Sequence, residues 1–197
     1  PVVLHEPRPI RNVERPRFFH PHGAAMLDRN GTELVHAAAK RMTTPAELVI
    51  VAALSNPHRG RDRTVLYRKP PETMTYEGVW AEADPDVLVI PRRYGGLSLP
   101  MQEAAARGIP IITTDLPPQN AWVPAEGLVP ATLERANFSM KGGRFGIWTV
   151  EVPHLVEAME AFTDPDVRAK QAEQIYAYAE TLSWDRWRDR YLEILLP

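Results

Sequence analysis

The stretch from Val87 to Asp115, VLVIPRRYGGLSLPMQEAAARGIPIITTD, constrains this chain more than any other. It reads as an apolar strand over Val87 to Ile90, a basic glycine-containing loop over Arg92 to Leu99, a short helix opened by Pro100, and a second strand over Ile109 to Thr114. Proline just inside the helix start and Gly108 just past its end follow the usual asymmetry of helix termini. Neither strand alternates apolar with polar residues, so both faces should be covered, as in a parallel sheet flanked by helices. Ligands of such sheets lie beyond the carboxyl ends of the strands, where loops run into helices. The Arg92 to Leu99 loop occupies that place.

The rest of the chain supplies the partners such strands need. Arg17 to His20 reads as a strand, Pro21 to Asn30 as a loop, and Thr32 to Met42 as an amphipathic helix. Glu47 to Leu54 and Thr64 to Tyr67 are further strands, and Tyr76 to Ala83 is a short helix leading into Val87. This alternation predicts a doubly wound, Rossmann-like α/β sheet over residues 17–182. Residues 1–16 carry four prolines and read as an extended entry segment or linker. After Asp115 come a turn-rich segment, a possible short strand at Leu128 and Val129, a basic glycine-containing loop over 137–146, and a last strand over Ile147 to Val150. His154 to Phe162 and Pro165 to Leu182 read as helices, and Ser183 as the N-cap of a terminal helix within 183–197.

Composition removes several function classes. The 197 residues include no cysteine, which excludes disulfides and thiolate chemistry and fits the cytoplasm. A net charge of -2 gives no global attraction to nucleic acid, and no apolar run reaches a membrane span. Any affinity for phosphate must therefore be local. The chain opens at Pro1 without an initiator Met, as in a processed protein or an excised part of a longer one.

Locally, the Arg92 to Leu99 loop gathers two arginines, two adjacent glycines and a serine before a helix. Glycine lets backbone approach a ligand, N–H groups at a helix start attract anions, and arginine grips phosphate oxygens in bidentate fashion. The same composition also suits a tight turn with solvated arginines. Glu103 is expected in the first turn of the following helix, where the dipole favours a carboxylate and sugar hydroxyls could donate to it. His20 and His22 flank Pro21, but no further ligands follow at metal-site spacing, so they read as polar donors near the cleft. His58, Arg59, Arg61, Arg63, Arg68 and Lys69 form a basic patch that reads as a solvated loop, with nucleic acid as the weaker alternative. Trp184, Trp187 and Tyr191 share one helical face and read as a packing face.

DPDVLVIP followed by YGGLSLPMQEAAARGIPIITTD resembles the donor-binding motif of the retaining GT-B glycosyltransferases, especially family 4. The register rests on Leu99-Pro100, Glu103-Ala104, Gly108-Ile109-Pro110 and Asp115. HPHGAAMLDRNGTELVHAAAKRM resembles the first strand, loop and helix of the C-terminal domain of these enzymes. PPQNAWVP and TLSWDRWRDRYLEIL are similar to a subgroup found in actinobacteria and their phages. The resemblance implies one Rossmann-like C-terminal domain that binds a nucleoside diphosphate sugar such as a UDP-sugar, with the acceptor-binding domain before Pro1. It implies hexosyl transfer with retention and no cofactor or essential metal. Glu103 takes the ribose hydroxyls, and the amides of Gly96, Leu97 and Ser98 face the diphosphate.

Two departures stand out. The first acidic residue of the motif, which contacts the transferred sugar in relatives, is Gly95 here, leaving Tyr94 or backbone groups in its place. The usual Lys-Gly pair is Asn30-Gly31 and the upstream arginine falls at Ala25, so Arg29 and Arg93 are the expected carriers of phosphate charge. The alternative implied by Gly95 is a nonenzymatic nucleotide- or partner-binding module that kept the fold and lost the sugar site.

Overall fold

A computed structural model describes residues 1–22, 28–51, 65–68, 75–140 and 143–196. In chain order the elements are β1 (Arg17–Pro21), α1 (Thr32–Ala39), β2 (Glu47–Val51), β3 (Val65–Arg68), α2 (Tyr76–Ala83), β4 (Val87–Ile90), α3 (Leu99–Ala105) and β5 (Ile111–Thr114). Then follow β6 (Leu128–Val129), β7 (Ala131–Met140), β8 (Gly143–Val150), α4 (Val152–Ala161), α5 (Pro165–Thr181) and α6 (Trp184–Leu195). Six strands form one sheet in the order β3-β2-β1-β4-β5-β6, every pair parallel. The order reverses between β1 and β4, which is the doubly wound Rossmann-like arrangement, and sheets of this kind bind ligands at that switch point.

The continuous apolar runs are explained by two cores, one per face. Phe18, Leu48, Ile50, Val87, Val89 and Ile112 pack with residues of α1 and α4. Phe19, Val49, Leu88, Ile90 and Ile111 pack with Trp80 of α2, Met101 and Ala104 of α3, and Ile175 of α5. Successive residues at the centres of β1, β2, β4 and β5 thus alternate between two buried faces, which is why these runs show no polar alternation. Gly127 lets the chain approach β5, since a Cβ there would lie 2.1 Å from the Ile111 carbonyl oxygen.

Residues 1–16 lie extended along the amino-terminal edge of the sheet and its helices. Their backbone N–H groups donate from Val2 to Leu182, from His5 to Ala106 and from Arg8 to Arg107. Arg11 grips the nearly buried Asp86 carboxylate through Nε at 2.6 Å and Nη2 at 2.7 Å. Asp86 also accepts the Arg17 amide at 2.7 Å. The fully buried Arg168 of α5 donates to the Arg11 carbonyl at 2.7 Å and to the Phe162 carbonyl at 2.8 Å, tying the segment to the junction of α4 and α5.

Three expectations are corrected. The basic glycine-containing stretch over 137–146 is not a free loop: its described residues belong to a ten-residue and an eight-residue strand, β7 and β8, paired antiparallel with register irregularities. Consecutive residues of β7 are exposed, so the sequence there carries none of the two-residue apolar alternation that marks a half-buried strand. α6 forms as expected from its Ser183 cap, which accepts the Arg186 amide at 3.3 Å, but it buries none of its residues. Trp184, Trp187 and Tyr191 are each about two-fifths exposed: Trp184 stacks on Tyr191 and the Trp187 indole N–H donates to the Thr181 carbonyl at 2.8 Å, but the face is not buried as a core face would be. α3 begins at Leu99, which puts Glu103 at its fifth residue, past the first turn.

Candidate functional site

The site lies where β1 and β4 end side by side and their chains turn into α1 and α3. The two connecting loops are laced together. The Arg93 amide donates to the Arg29 carbonyl at 2.9 Å, and Gly31 lies so close beneath Pro91 that a Cβ would come within 2.5 Å of the Pro91 carbonyl oxygen. Gly31 has φ 75, a left-handed conformation that favours glycine, so this residue answers both a steric and a backbone requirement. Asp28 closes the start of α1, its two carboxylate oxygens accepting the Thr32 amide at 2.7 Å and the Glu33 amide at 3.0 Å.

Arg92 is the electrostatic centre. It directly follows β4 and its neighbour Pro91, and it is only 4% exposed. Its Nη1 donates to the Gly96 carbonyl at 2.9 Å, while its buried Nε has no partner. Among the described residues no carboxylate pairs with Arg92 or with Arg29. Burial, and secondarily the charge of Arg29, push the Arg92 guanidinium down to about 10. Sequence reasoning placed phosphate charge on Arg29 and Arg93 and passed over Arg92. The available signal was its position at the strand end, three residues before a glycine that leaves room for a guanidinium.

Gly95 provides that room. Its φ is 114, and a Cβ would lie 2.5 Å from the Arg92 Nη2. The folded-back arginine thus takes the space that a side chain at this position would use. Gly96 and Leu97 are exposed and Ser98 is buried at the start of α3, its hydroxyl making no cap hydrogen bond. Arg93 leans away from Arg92 onto the β7–β8 hairpin: it pairs with Glu134, and its Nε donates to the Trp148 carbonyl at 3.2 Å. Tyr94 stacks on Phe145 of β8 with ring centres 5.0 Å apart. The hairpin therefore walls one side of the loop, a contact that no local pattern in the sequence announced.

Glu103 is half-buried on α3, and its Oε2 accepts the Trp80 indole N–H of α2 at 3.3 Å. The expected site residues thus divide. Arg29, Gly95 and Gly96 lie at Arg92, Leu97 and Ser98 follow in the same loop, Arg93 is attached to the hairpin, and Glu103 faces α2.

His20 and His22 separate as well. His20 is fully buried, with Nδ1 2.8 Å from the Val89 carbonyl and Nε2 2.8 Å from the Thr32 hydroxyl. Burial holds its pKa down at about 4, so the ring is neutral. His22, half-buried just past β1, has Nδ1 2.9 Å from the same hydroxyl. Among the described residues no group of three His, Asp or Glu side chains could hold a metal ion, and no helix is long and apolar enough to cross a membrane. Of the basic patch, His58, Arg59, Arg61, Arg63 and Lys69 lie outside the described residues, as does Ala25.

No family model and no curated protein sequence matches the chain. Solved structures do. The C-terminal domain of a group 1 family glycosyl transferase from Francisella tularensis aligns with a TM-score of 0.60 at 16% identity, covering 85% of this chain and 87% of that one. Sucrose-phosphate synthase from Thermosynechococcus elongatus aligns at 0.64 and 19% identity, covering 92% of this chain and 45% of that one. HepE from Anabaena, solved in complex with UDP and glucose, aligns at 0.60 and 14% identity, covering 91% and 48%. The chain thus spans about half the length of the two larger proteins and nearly all of the isolated domain. Its fold is that of one Rossmann-like domain of the GT-B glycosyltransferases.

Proposed function

We propose that this domain holds the nucleoside diphosphate sugar of a two-domain glycosyltransferase, whose acceptor-binding domain precedes Pro1. The observation that carries this reading is Arg92: a desolvated guanidinium with no counter-charge among the described residues, beside a second cation, Arg29, at the sheet's switch point. Burying an unpaired charge is costly, and the cost is offset when an anionic ligand completes the pair. A diphosphate meets the site's geometry better than a single carboxylate, because Arg29 and Arg92 come from two loops. The exposed backbone of Gly95, Gly96 and Leu97 lies beside them. Glu103, whose Oε1 makes no described hydrogen bond, takes a ribose hydroxyl while Oε2 keeps the Trp80 indole.

In this reading the reaction is hexosyl transfer with retention. Charge develops on the departing diphosphate, and prepositioned arginines stabilise it without a metal or a general base from this chain. The second reactant is held by the other domain, so the chain alone transfers sugar slowly or not at all. A UDP-sugar is the working choice of donor. Gly95 favours one other reading, a nonenzymatic nucleotide- or partner-binding module, because Arg92 fills the space in which a sugar-contacting acid would project.

Calorimetry with UDP, GDP and a mixed-sequence DNA tests the proposal. Binding of one nucleotide that Glu103→Ala abolishes supports it, and silence toward both nucleotides sinks it. Equal affinity for a nucleotide and its sugar conjugate favours the nonenzymatic module, and DNA binding alone points to the basic loop at 58–69.

A further inference from the structure

The hydrogen bonds around Thr32 determine the proton positions of two histidines. The Val89 carbonyl can only accept, so His20 carries its proton on Nδ1. His20 is neutral, so its Nε2 is a lone pair and must accept from the Thr32 hydroxyl. That hydroxyl has one proton, now used. Its contact with His22 therefore runs the other way, with the His22 Nδ1–H donating to the Thr32 oxygen. Two buried side chains, His20 and Thr32, thus fix the tautomer and the ring plane of His22.

The consequence lies on the far side of that ring. His22 Nε2 makes no described hydrogen bond, and the side chain is half-exposed at the carboxyl end of β1, next to the switch point. Its backbone is fixed too: the amide donates to the Val51 carbonyl at 3.0 Å, and Asn30 Nδ2 reaches the His22 carbonyl at 3.3 Å. We infer that His22 is a ligand of the diphosphate, donating from protonated Nε2 to a phosphate oxygen, with His20 and Thr32 as positioning residues. This rests on the donor-site reading given above.

The locked tautomer gives the interaction a direction with pH. Neutral His22 presents a lone pair at Nε2, which repels a phosphate oxygen. Protonated His22 keeps its Nδ1–H on Thr32 and adds an Nε2–H and a positive charge. Among the described residues, the charged and titratable groups on the elements that meet here are His20 on β1, Asp28 and Arg29 before α1, Glu33 on α1, and Arg92 and Arg93 after β4. β2 contributes the Val51 carbonyl. The ligand and the His22 proton therefore favour one another.

The test is calorimetry of the whole chain with UDP, inorganic pyrophosphate and uridine, near pH 6 and near pH 8, for the wild type, His22→Phe and Thr32→Val. The ratio of variant to wild-type Kd cancels the titration of the ligand itself. His22→Phe is expected to weaken UDP and pyrophosphate about tenfold near pH 6 and much less near pH 8, leaving uridine unchanged. Thr32→Val, which frees the ring, is expected to show a smaller loss with the same trend. A ratio near one at both pH values, or a loss equal at both and shared by uridine, overturns the inference while leaving the donor site standing. A wild type that binds no diphosphate at either pH overturns both. Imidazole 15N shifts of the wild type give a ligand-free check: near pH 8 both His20 and His22 should carry the proton on Nδ1, and a His22 proton on Nε2 refutes the relay.

Discussion

Replacing Arg92 by methionine should separate stability from binding. Methionine keeps the unbranched stem and removes the charge. A guanidinium lowered from 12.5 to about 10, by burial first and by the Arg29 charge second, is disfavoured by about 3 kcal/mol in the folded state. Against this stands the hydrogen bond from Nη1 to the Gly96 carbonyl, a charge-assisted contact worth about 1.5–3 kcal/mol. The unpaired Nε adds nothing on the favourable side. The two terms nearly cancel, so Arg92→Met should leave stability unchanged or raise it by up to about 2 kcal/mol, a Tm gain of up to about 6 °C in a chain of this size. Binding should move the other way. Loss of one charged contact to a diphosphate costs about 1.5–3 kcal/mol, or about 10- to 150-fold in Kd. Calorimetric melting and UDP titration of the same samples measure both. A Tm that falls by several degrees with unchanged UDP affinity would show that Arg92 is a structural residue and refute the argument.

Two further outcomes concern the frame around the site. His20 has a pKa of about 4 when folded against an ordinary 6.5, so the unfolded chain takes up a proton that the folded chain refuses as pH falls. Stability from this group is complete above about pH 6.5 and is lost toward about pH 4, by about 3 kcal/mol in all. Urea unfolding across that range should show this loss in the wild type and not in His20→Gln, and parallel curves would contradict it. Arg11→Ala leaves the nearly buried Asp86 with only the Arg17 amide, so it should cost about 3 kcal/mol in the same assay. A loss below about 1 kcal/mol would mean that residues 1–16 add little to the fold.

What the sequence reveals depends on how local the physics is. β1, β2, β4 and β5 are legible because burial on both faces writes itself as an unbroken apolar run, and α2 and the Ser183 cap because helix starts have local chemistry. The order of strands and the meeting of the Arg29 and Arg92 loops follow from that alternation. The β7–β8 hairpin is not legible, since its outer half is exposed and its contacts with Arg93 and Tyr94 join residues some fifty positions apart. Nor is the docking of residues 1–16, where prolines and mixed charges hide a pattern of arginines spaced to reach Asp84 and Asp86. At the site, residue types were readable but partnerships were not. Arg92 and Arg93 are adjacent in sequence, yet one is buried without a counter-charge among the described residues and the other is paired with Glu134.

The central claim is that a nucleoside diphosphate sits between the ends of β1 and β4. Amide chemical-shift mapping of the chain titrated with UDP and with GDP locates the ligand directly. The account predicts that one of them shifts Gly31, Arg93, Gly95, Gly96, Leu97 and Ser98 together, and the Glu103 side of α3 with them. Shifts confined to the cleft lined by His5, Trp80 and Arg107 at the opposite edge of the sheet, or no saturable shifts with either nucleotide, would contradict it.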